Sequence, residues 1–230
     1  MNLSIVIPAF NEEKRIENTL QQIEKYASKN FNNYEIIVVD DCSQDKTSEI
    51  SSKYKNVKIL KNSKNMGKGY SVRRGILCAK YELVLFTDAD LATPIEEIEK
   101  LLFKIKQGCD IAIASRNMKN SKIIVKQAKY RQLMGKTFPL LVRCLILPDF
   151  KDTQCGFKLF KTNIAKEILA KQKSNGFAFD VEVLYLAKKL GCKIAEVPVV
   201  WIDQKGSKLN PMKDALKMLI ELVKMKSQQH

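Results

Sequence analysis

The sequence predicts an α/β fold: one domain built on a mostly parallel sheet flanked by helices. Three observations carry this. Continuous apolar runs of strand length alternate with amphipathic helical stretches across residues 1–115. A parallel strand is buried on both faces and needs a helical crossover to return the chain, so this alternation marks crossover units. The strand-like runs end in turn-forming or acidic residues, at Pro8, at Asp40-Asp41 and at Asp88-Ala89-Asp90. The chain also has 230 residues, 45% of them hydrophobic, enough for one full core.

Each element follows from local pattern. Residues 3–7 form an apolar run closed by Pro8, a buried strand. Ile16, Leu20, Ile23 and Ala27 share one face of a helix. Residues 35–39 and 57–60 read as strands, with a short helix at 47–54 between them. A helix over 67–79 opens from a glycine-rich turn, and residues 83–87 form a strand. Pro94 suits the first turn of a helix running to about Gln107, before a strand at 110–114. The second half is less regular. Residues 117–130 are polar and lysine-rich, a loop. An amphipathic helix is expected over 131–147, a strand over 156–160, a helix over 180–190 and a strand over 193–201. A closing amphipathic helix over 211–225 carries Met212, Leu216, Leu219 and Val223 on one side.

Charge and composition narrow the function. The net charge is +15, and between Arg116 and Leu147 there are eight basic residues and no acidic one. Such a balance suits nucleic acid, an anionic membrane surface or a phosphorylated substrate. A nucleic-acid binder would mix basic residues with exposed aromatics and would not place aspartates at strand ends, so nucleic acid is not expected as a partner. Six cysteines lie far apart with no C-x-x-C pair, and His230 is the one histidine. A structural zinc site is therefore not expected, and the cysteines read as reduced residues of a reducing compartment. No signal peptide is apparent, and the longest apolar stretch, 138–148, is interrupted by Arg143. It falls short of the roughly 20 residues of a spanning helix. The expected location is the cytoplasm, peripheral on the cytoplasmic face of a membrane.

Asp88-x-Asp90 is the central chemical motif. Two carboxylates one residue apart at a strand end can share a divalent ion with a diphosphate, and their hard oxygens suit Mg²⁺ or Mn²⁺. In isolation such a pair also occurs as a helix cap. Here it follows Ile5-Val6-Ile7-Pro8-Ala9-Phe10-Asn11-Glu12, Ile37-Val38-Val39-Asp40-Asp41-Cys42-Ser43 and Asn65-x-Gly67-Lys68-Gly69 in order. The last of these lacks the spacing of a phosphate-binding P-loop, and its glycines suit close backbone approach to donor or core.

Together these motifs resemble family 2 glycosyltransferases of the GT-A fold. Further on, Asp152-Thr153-Gln154-Cys155-Gly156-Phe157-Lys158-Leu159-Phe160, then Phe177-Ala178-Phe179-Asp180-Val181-Glu182, then Gly206-Ser207-Lys208-Leu209 with Pro211, are similar to the dolichyl-phosphate β-glucosyltransferase branch. Ala92 stands where some mannosyl relatives carry a glutamine as a further metal ligand, which the glucosyl branch also lacks.

The resemblance implies a single GT-A domain over 1–226 with a tail at 227–230. Its nucleotide-sugar half would span 1–115 and its acceptor half 116–226. Pro8, Glu12 and Asp40 would hold the nucleoside. Asp88 would face ribose, sugar or metal, and Asp90 would ligate the metal. Arg116 and Arg131 would bind the acceptor phosphate, and Lys208 would close over the diphosphate. Asp152 is the candidate for a base or a sugar-orienting carboxylate, its alternative being a structural turn residue. Asp180 and Glu182 read as helix-start or supporting residues. Phe177 and Phe179 either border the sugar pocket or belong to the core. The implied reaction moves glucose from UDP-glucose, with inversion, to a polyprenyl phosphate. GDP-mannose as donor, or a non-lipid acceptor, is the alternative.

Overall fold

A computed structural model describes residues 1–124, 142, 143, 145–204 and 221. Five strands and four helices alternate through the first half: β1 (Asn2–Ala9), α1 (Ile16–Asn30), β2 (Asn33–Asp40), α2 (Thr47–Ser51), β3 (Val57–Lys61), α3 (Lys68–Leu77), β4 (Leu83–Thr87), α4 (Ile98–Lys106) and β5 (Ile111–Ser115). A 3₁₀ turn, Ile95–Glu97, leads into α4, so Pro94 precedes this turn and not the α-helix directly. The second half supplies β6 (Lys122–Ile123), β7 (Phe157–Lys161), α5 (Thr162–Ala170), α6 (Phe179–Lys189), β8 (Ile194–Pro198) and β9 (Val200–Trp201).

The main sheet runs β3-β2-β1-β4-β7-β5-β8. Neighbours pair in parallel except at β7, which is antiparallel to both β4 and β5. The apolar runs are continuous because both sheet faces are covered. Leu3, Ile5, Ile7, Ile36, Val38 and Leu85 face α1 and α4. Val6, Ile37, Val39, Val84 and Phe86 face α3, α5 and α6. Ile16, Leu20, Ile23 and Ala27 are all fully buried, as the helical spacing of α1 requires.

Three local expectations change. Residues 193–201 form two strands, because the chain leaves the main sheet after Pro198 and β9 pairs in parallel with β6. Part of the segment expected as a loop thereby becomes β6. Helix α5 was not foreseen; Ala165, Ile168 and Leu169 form its buried face. Most of the amphipathic segment 131–147 and all but residue 221 of the closing segment 211–225 lie outside the described residues. Of the former, Val142 and Leu147 are buried in the core, while Leu145 is 43% exposed.

Candidate active site

The carboxyl ends of β1, β2 and β4 meet at one edge of the sheet, the usual ligand edge of an open parallel sheet. Asp88 is the first residue beyond β4. The chain turns sharply there: Leu91 N–H donates to the Asp88 carbonyl (3.1 Å) and Ala92 N–H to Asp90 Oδ1 (3.1 Å). Leu91 has φ 46°, a left-handed conformation that costs a bulky side chain of order 1–3 kcal/mol. The turn is thus held by its surroundings in a shape that aims both carboxylates outward.

Gly156 sits directly under this turn. Asp88 N–H donates to the Gly156 carbonyl (3.1 Å), and a Cβ at position 156 would lie 2.0 Å from Asp88 Oδ2. Only glycine leaves room for the carboxylate. The antiparallel β7 begins at the next residue, so inserting this strand beside β4 also shapes the floor of the site.

Two cations face the acidic pair. Lys68 Nζ lies 2.7 Å from Asp88 Oδ1. Arg15 is bound to Glu12 Oε2 at 2.5 Å and reaches to 4.0 Å from Asp90 Oδ2. Burial, then neighbouring Asp88, pushes the Asp90 pKa above its ordinary value, with the Ala92 N–H, Arg15 and Lys68 opposing. Burial works against charge on Lys68, but Asp88, Asp180 and Asp90 outweigh it and raise its pKa. Lys68 is therefore a fixed ammonium against the motif.

Asp41 holds Lys68 in place. Its oxygens accept from Asn62 Nδ2 (2.7 Å), Met66 N–H (2.8 Å) and Gly67 N–H (2.9 Å). Gly67, at φ 96°, opens α3 where any Cβ would lie 2.4 Å from the Asn175 carbonyl. Of the Asp40-Asp41 pair, Asp41 is thus structural. Asp40 lines an open cleft of about 700 Å³ together with Cys42, Ser43, Lys61 and Asn62, and accepts from Ser43 N–H (3.0 Å). The loops after β1 and β2 that flank this cleft are laced together: Asn11 N–H donates to Ser43 Oγ (2.9 Å) and Glu12 N–H to Thr47 Oγ1 (2.7 Å). Pro8, half-buried, lies opposite Val39 one residue before β1 ends.

Arg116 and Asp152 form a second unit. Arg116 Nε donates to Asp152 Oδ2 (2.7 Å), Nη2 to Oδ1 (2.9 Å) and the backbone N–H to Oδ2 (2.9 Å). Gln154 N–H adds a bond to Oδ1 (3.2 Å). Asp152 is fully buried, and Arg116 stacks 5.6 Å from the Trp201 ring. Burial opposes the Asp152 charge, but Arg116 outweighs it and holds the carboxyl below the usual range. A carboxylate so enclosed and so stabilised as an anion is a poor proton acceptor. In this structure both Asp152 oxygens are taken up by Arg116 and Gln154, so the carboxylate fixes the Arg116 side chain.

Asp180 and Glu182 support the site from α6. Asp180 makes a buried ion pair with Lys158, which also donates to the Cys155 carbonyl (2.8 Å). Glu182 accepts from Lys173 N–H (2.9 Å) and Ser174 N–H (2.7 Å), fixing the loop that packs on the start of α3. Phe179 is core, edge-to-face on Phe86 at 5.7 Å, and Phe177 is partly buried against the same cluster.

Residues 4–169 match the family model described as glycosyl transferase family 2. The chain belongs to that family. A dolichyl-phosphate β-glucosyltransferase of Dictyostelium discoideum is 36% identical over 240 residues, 97% of this chain and 73% of its relative. The human enzyme of that name is 36% identical over 233 residues, 94% of this chain and 72% of its own. Among solved structures, mannosyl-3-phosphoglycerate synthase of Rubrobacter xylanophilus superposes with a TM-score of 0.76 at 17% identity, covering all of this chain and 74% of that one. Glucosyl-3-phosphoglycerate synthase of Mycobacterium tuberculosis, solved with Mn²⁺, UDP-glucose and glycerol 3-phosphate, gives 0.73 at 16% identity over 96% and 78% of the two chains. These structures establish the GT-A-like fold, and the family establishes a glycosyltransferase.

At this edge of the sheet, Glu12, Asp88 and Asp90 converge around Arg15 and Lys68, with Asp40 in the adjoining cleft. Arg116 and Asp152 form their own cluster, and Arg131 and Lys208 lie outside the described residues. Arg15, Asp41, Lys68 and Gly156 were missed. The signals were faint: Lys68 lies inside a motif read for its glycines, and Arg15 is one of 40 basic residues.

Proposed function

We propose that this transferase moves glucose from UDP-glucose to a dolichyl-type polyprenyl phosphate, giving a β-linked lipid phosphosugar. The observation that carries the reading is the outward-facing Asp88-x-Asp90 turn with Lys68 against it, on a chain 36% identical to dolichyl-phosphate β-glucosyltransferases over nearly its whole length. The cleft at Asp40, beside the end of β1 at Pro8 and the loop that carries Glu12, takes the nucleoside. The diphosphate then reaches Asp88 and Asp90, where Lys68 offers a positive charge, with Lys208 assigned to close over it.

The acidic pair fits a divalent cation, Mg²⁺ or Mn²⁺. Both carboxylates are partly exposed, at 33% and 27%, and burial first, then the neighbouring Asp88 charge, raises the Asp90 pKa, so a cation beside the pair would favour both anions. Among the described residues no third acidic, cysteine or histidine ligand joins them, and the remaining coordination is assigned to the donor diphosphate. A bound cation supplies the charge that a leaving nucleoside diphosphate needs.

The acceptor needs little activation. A phosphate monoester has its second pKa near ~6 and is already mostly dianionic at neutral pH. Its oxygen attacks the anomeric carbon from the face opposite UDP, and the bond electrons leave with the diphosphate, which inverts the anomeric centre. Arg116, held flat by Asp152 and Trp201, and Arg131 are assigned to the acceptor phosphate. A rigid guanidinium presents parallel donors suited to that group. An acceptor anchored in a bilayer requires the enzyme at the membrane surface; among the described residues no helix is long and apolar enough to cross one. Thermal shift with Mn²⁺ tests the donor: UDP should raise Tm more than GDP does. A larger shift with GDP would move the donor to GDP-mannose.

A further inference from the structure

We infer that the β6–β9 ribbon is a membrane-contacting lip of the active site, seating the protein on an anionic lipid surface. This rests on the proposal of a lipid phosphate acceptor and places the surface that meets it. Ile123 and Ile124 are consecutive and are 44% and 63% exposed. Single exposed apolar residues need no explanation, but adjacent ones beside a ligand site do.

Their position is fixed by backbone bonds. Ile124 N–H donates to the Trp201 carbonyl (3.0 Å), and Ile202 N–H donates to the Ala92 carbonyl (2.8 Å), two residues past Asp90. The ribbon is therefore tied to the metal-motif turn on one side, while Trp201 stacks on Arg116 on the other. A lipid held at this lip lies next to both the acidic turn and the proposed phosphate-binding arginine.

Charge selects the partner. Lys119 and Lys122 are exposed beside the isoleucines, and from Arg116 to Leu147 the sequence has eight basic residues and no acidic one. A second copy of this chain would set these like charges face to face. An anionic bilayer instead accepts the isoleucines at the headgroup boundary and the ammonium groups among its phosphates.

Flotation with vesicles of phosphatidylcholine, with and without phosphatidylglycerol, tests this. The protein should bind the anionic vesicles, and bind less as salt rises. The double variant Ile123→Ser/Ile124→Ser should lose about tenfold or more of that binding. Lys119→Gln/Lys122→Gln should bind more weakly with a flatter salt dependence. Both should keep their Tm and their transfer to a short, water-soluble polyprenyl phosphate. Serine variants that float like wild type would overturn the inference. So would wild type that ignores anionic vesicles while using the short acceptor, or a dimer that the serine changes dissociate. Wild type that fails on the short acceptor speaks against the lipid phosphate reading itself, whatever the flotation shows.

Discussion

Gly156→Ala isolates the geometry of the Asp88 turn. Gly156 is not in the left-handed region, so alanine meets no backbone penalty there. The cost is steric: the new methyl would sit 2.0 Å from Asp88 Oδ2 and 2.3 Å from its carboxyl carbon, where ordinary contact begins at 3.4 Å. The carboxylate must therefore move by about 1 Å or more, and it has partly open space to move into. Overpacking of this kind costs about 1–3 kcal/mol when it is enclosed, and relief toward solvent puts this case at the low end. A reacting group misplaced by about 1 Å costs on the order of 10²-fold in rate. The expected variant is thus folded, with Tm lowered by a few degrees and transfer down about a hundredfold. Thermal unfolding and transfer of labelled glucose measure the two quantities. In an Asp88→Ala background the same methyl has room, so its stability cost should vanish and the pair should be non-additive. Transfer by Gly156→Ala within about threefold of wild type would refute the assignment of Asp88's position as critical.

Other outcomes follow from the buried groups. Asp152's pKa is depressed in the folded state, so its pair with Arg116 stabilises fully above the ordinary carboxylate value near ~3.9 and is lost as pH falls through the depressed value. Asp152→Asn should cost about 3 kcal/mol at pH 7, the low end for a buried pair because Arg116 is partly exposed. The difference in unfolding free energy between the two proteins should be flat from pH 7 to 5 and shrink below about 4; a pH-independent difference counts against the pair. Burial pushes the Cys155 thiol up to about 11, whereas Cys78 is exposed. In native protein at pH 8, a maleimide should label Cys78 and leave Cys155 unmodified until unfolding, and rapid Cys155 labelling would show that the floor of the site is open.

The legible part of the fold is the part set by local pattern. β1, β2 and β4 announce themselves as continuous apolar runs because α1, α3 and α4 cover both faces of the sheet. Their carboxyl ends then carry Pro8, Asp40 and Asp88, so the site's edge was visible as well. Sheet order is not local: nothing within residues 157–161 says that β7 enters antiparallel between β4 and β5. Helix α5 lacks a side-chain cap at Lys161, which removes the usual start signal. The break after Pro198 is set by pairing with β6, a partner more than seventy residues away. The same limit explains the site residues. Asp40 and Asp41 are adjacent, and only the fold shows that one lines the cleft while the other holds the Gly67 turn. Asp152 reads equally as a reactive carboxylate or a turn residue before a strand until Arg116 is seen to occupy both its oxygens.

In the proposed reaction the protein transfers glucose from UDP-glucose to a polyprenyl phosphate, with a divalent cation at the Asp88–Asp90 turn. Its most direct test is transfer of labelled glucose to a short polyprenyl phosphate in Mn²⁺, with the anomeric configuration of the product read by NMR. Wild type should form the β-linked product. Asp90→Ala, and wild type in excess chelator, should form at least about a hundredfold less while remaining folded. An α-linked product, or undiminished transfer by Asp90→Ala or in chelator, would contradict it.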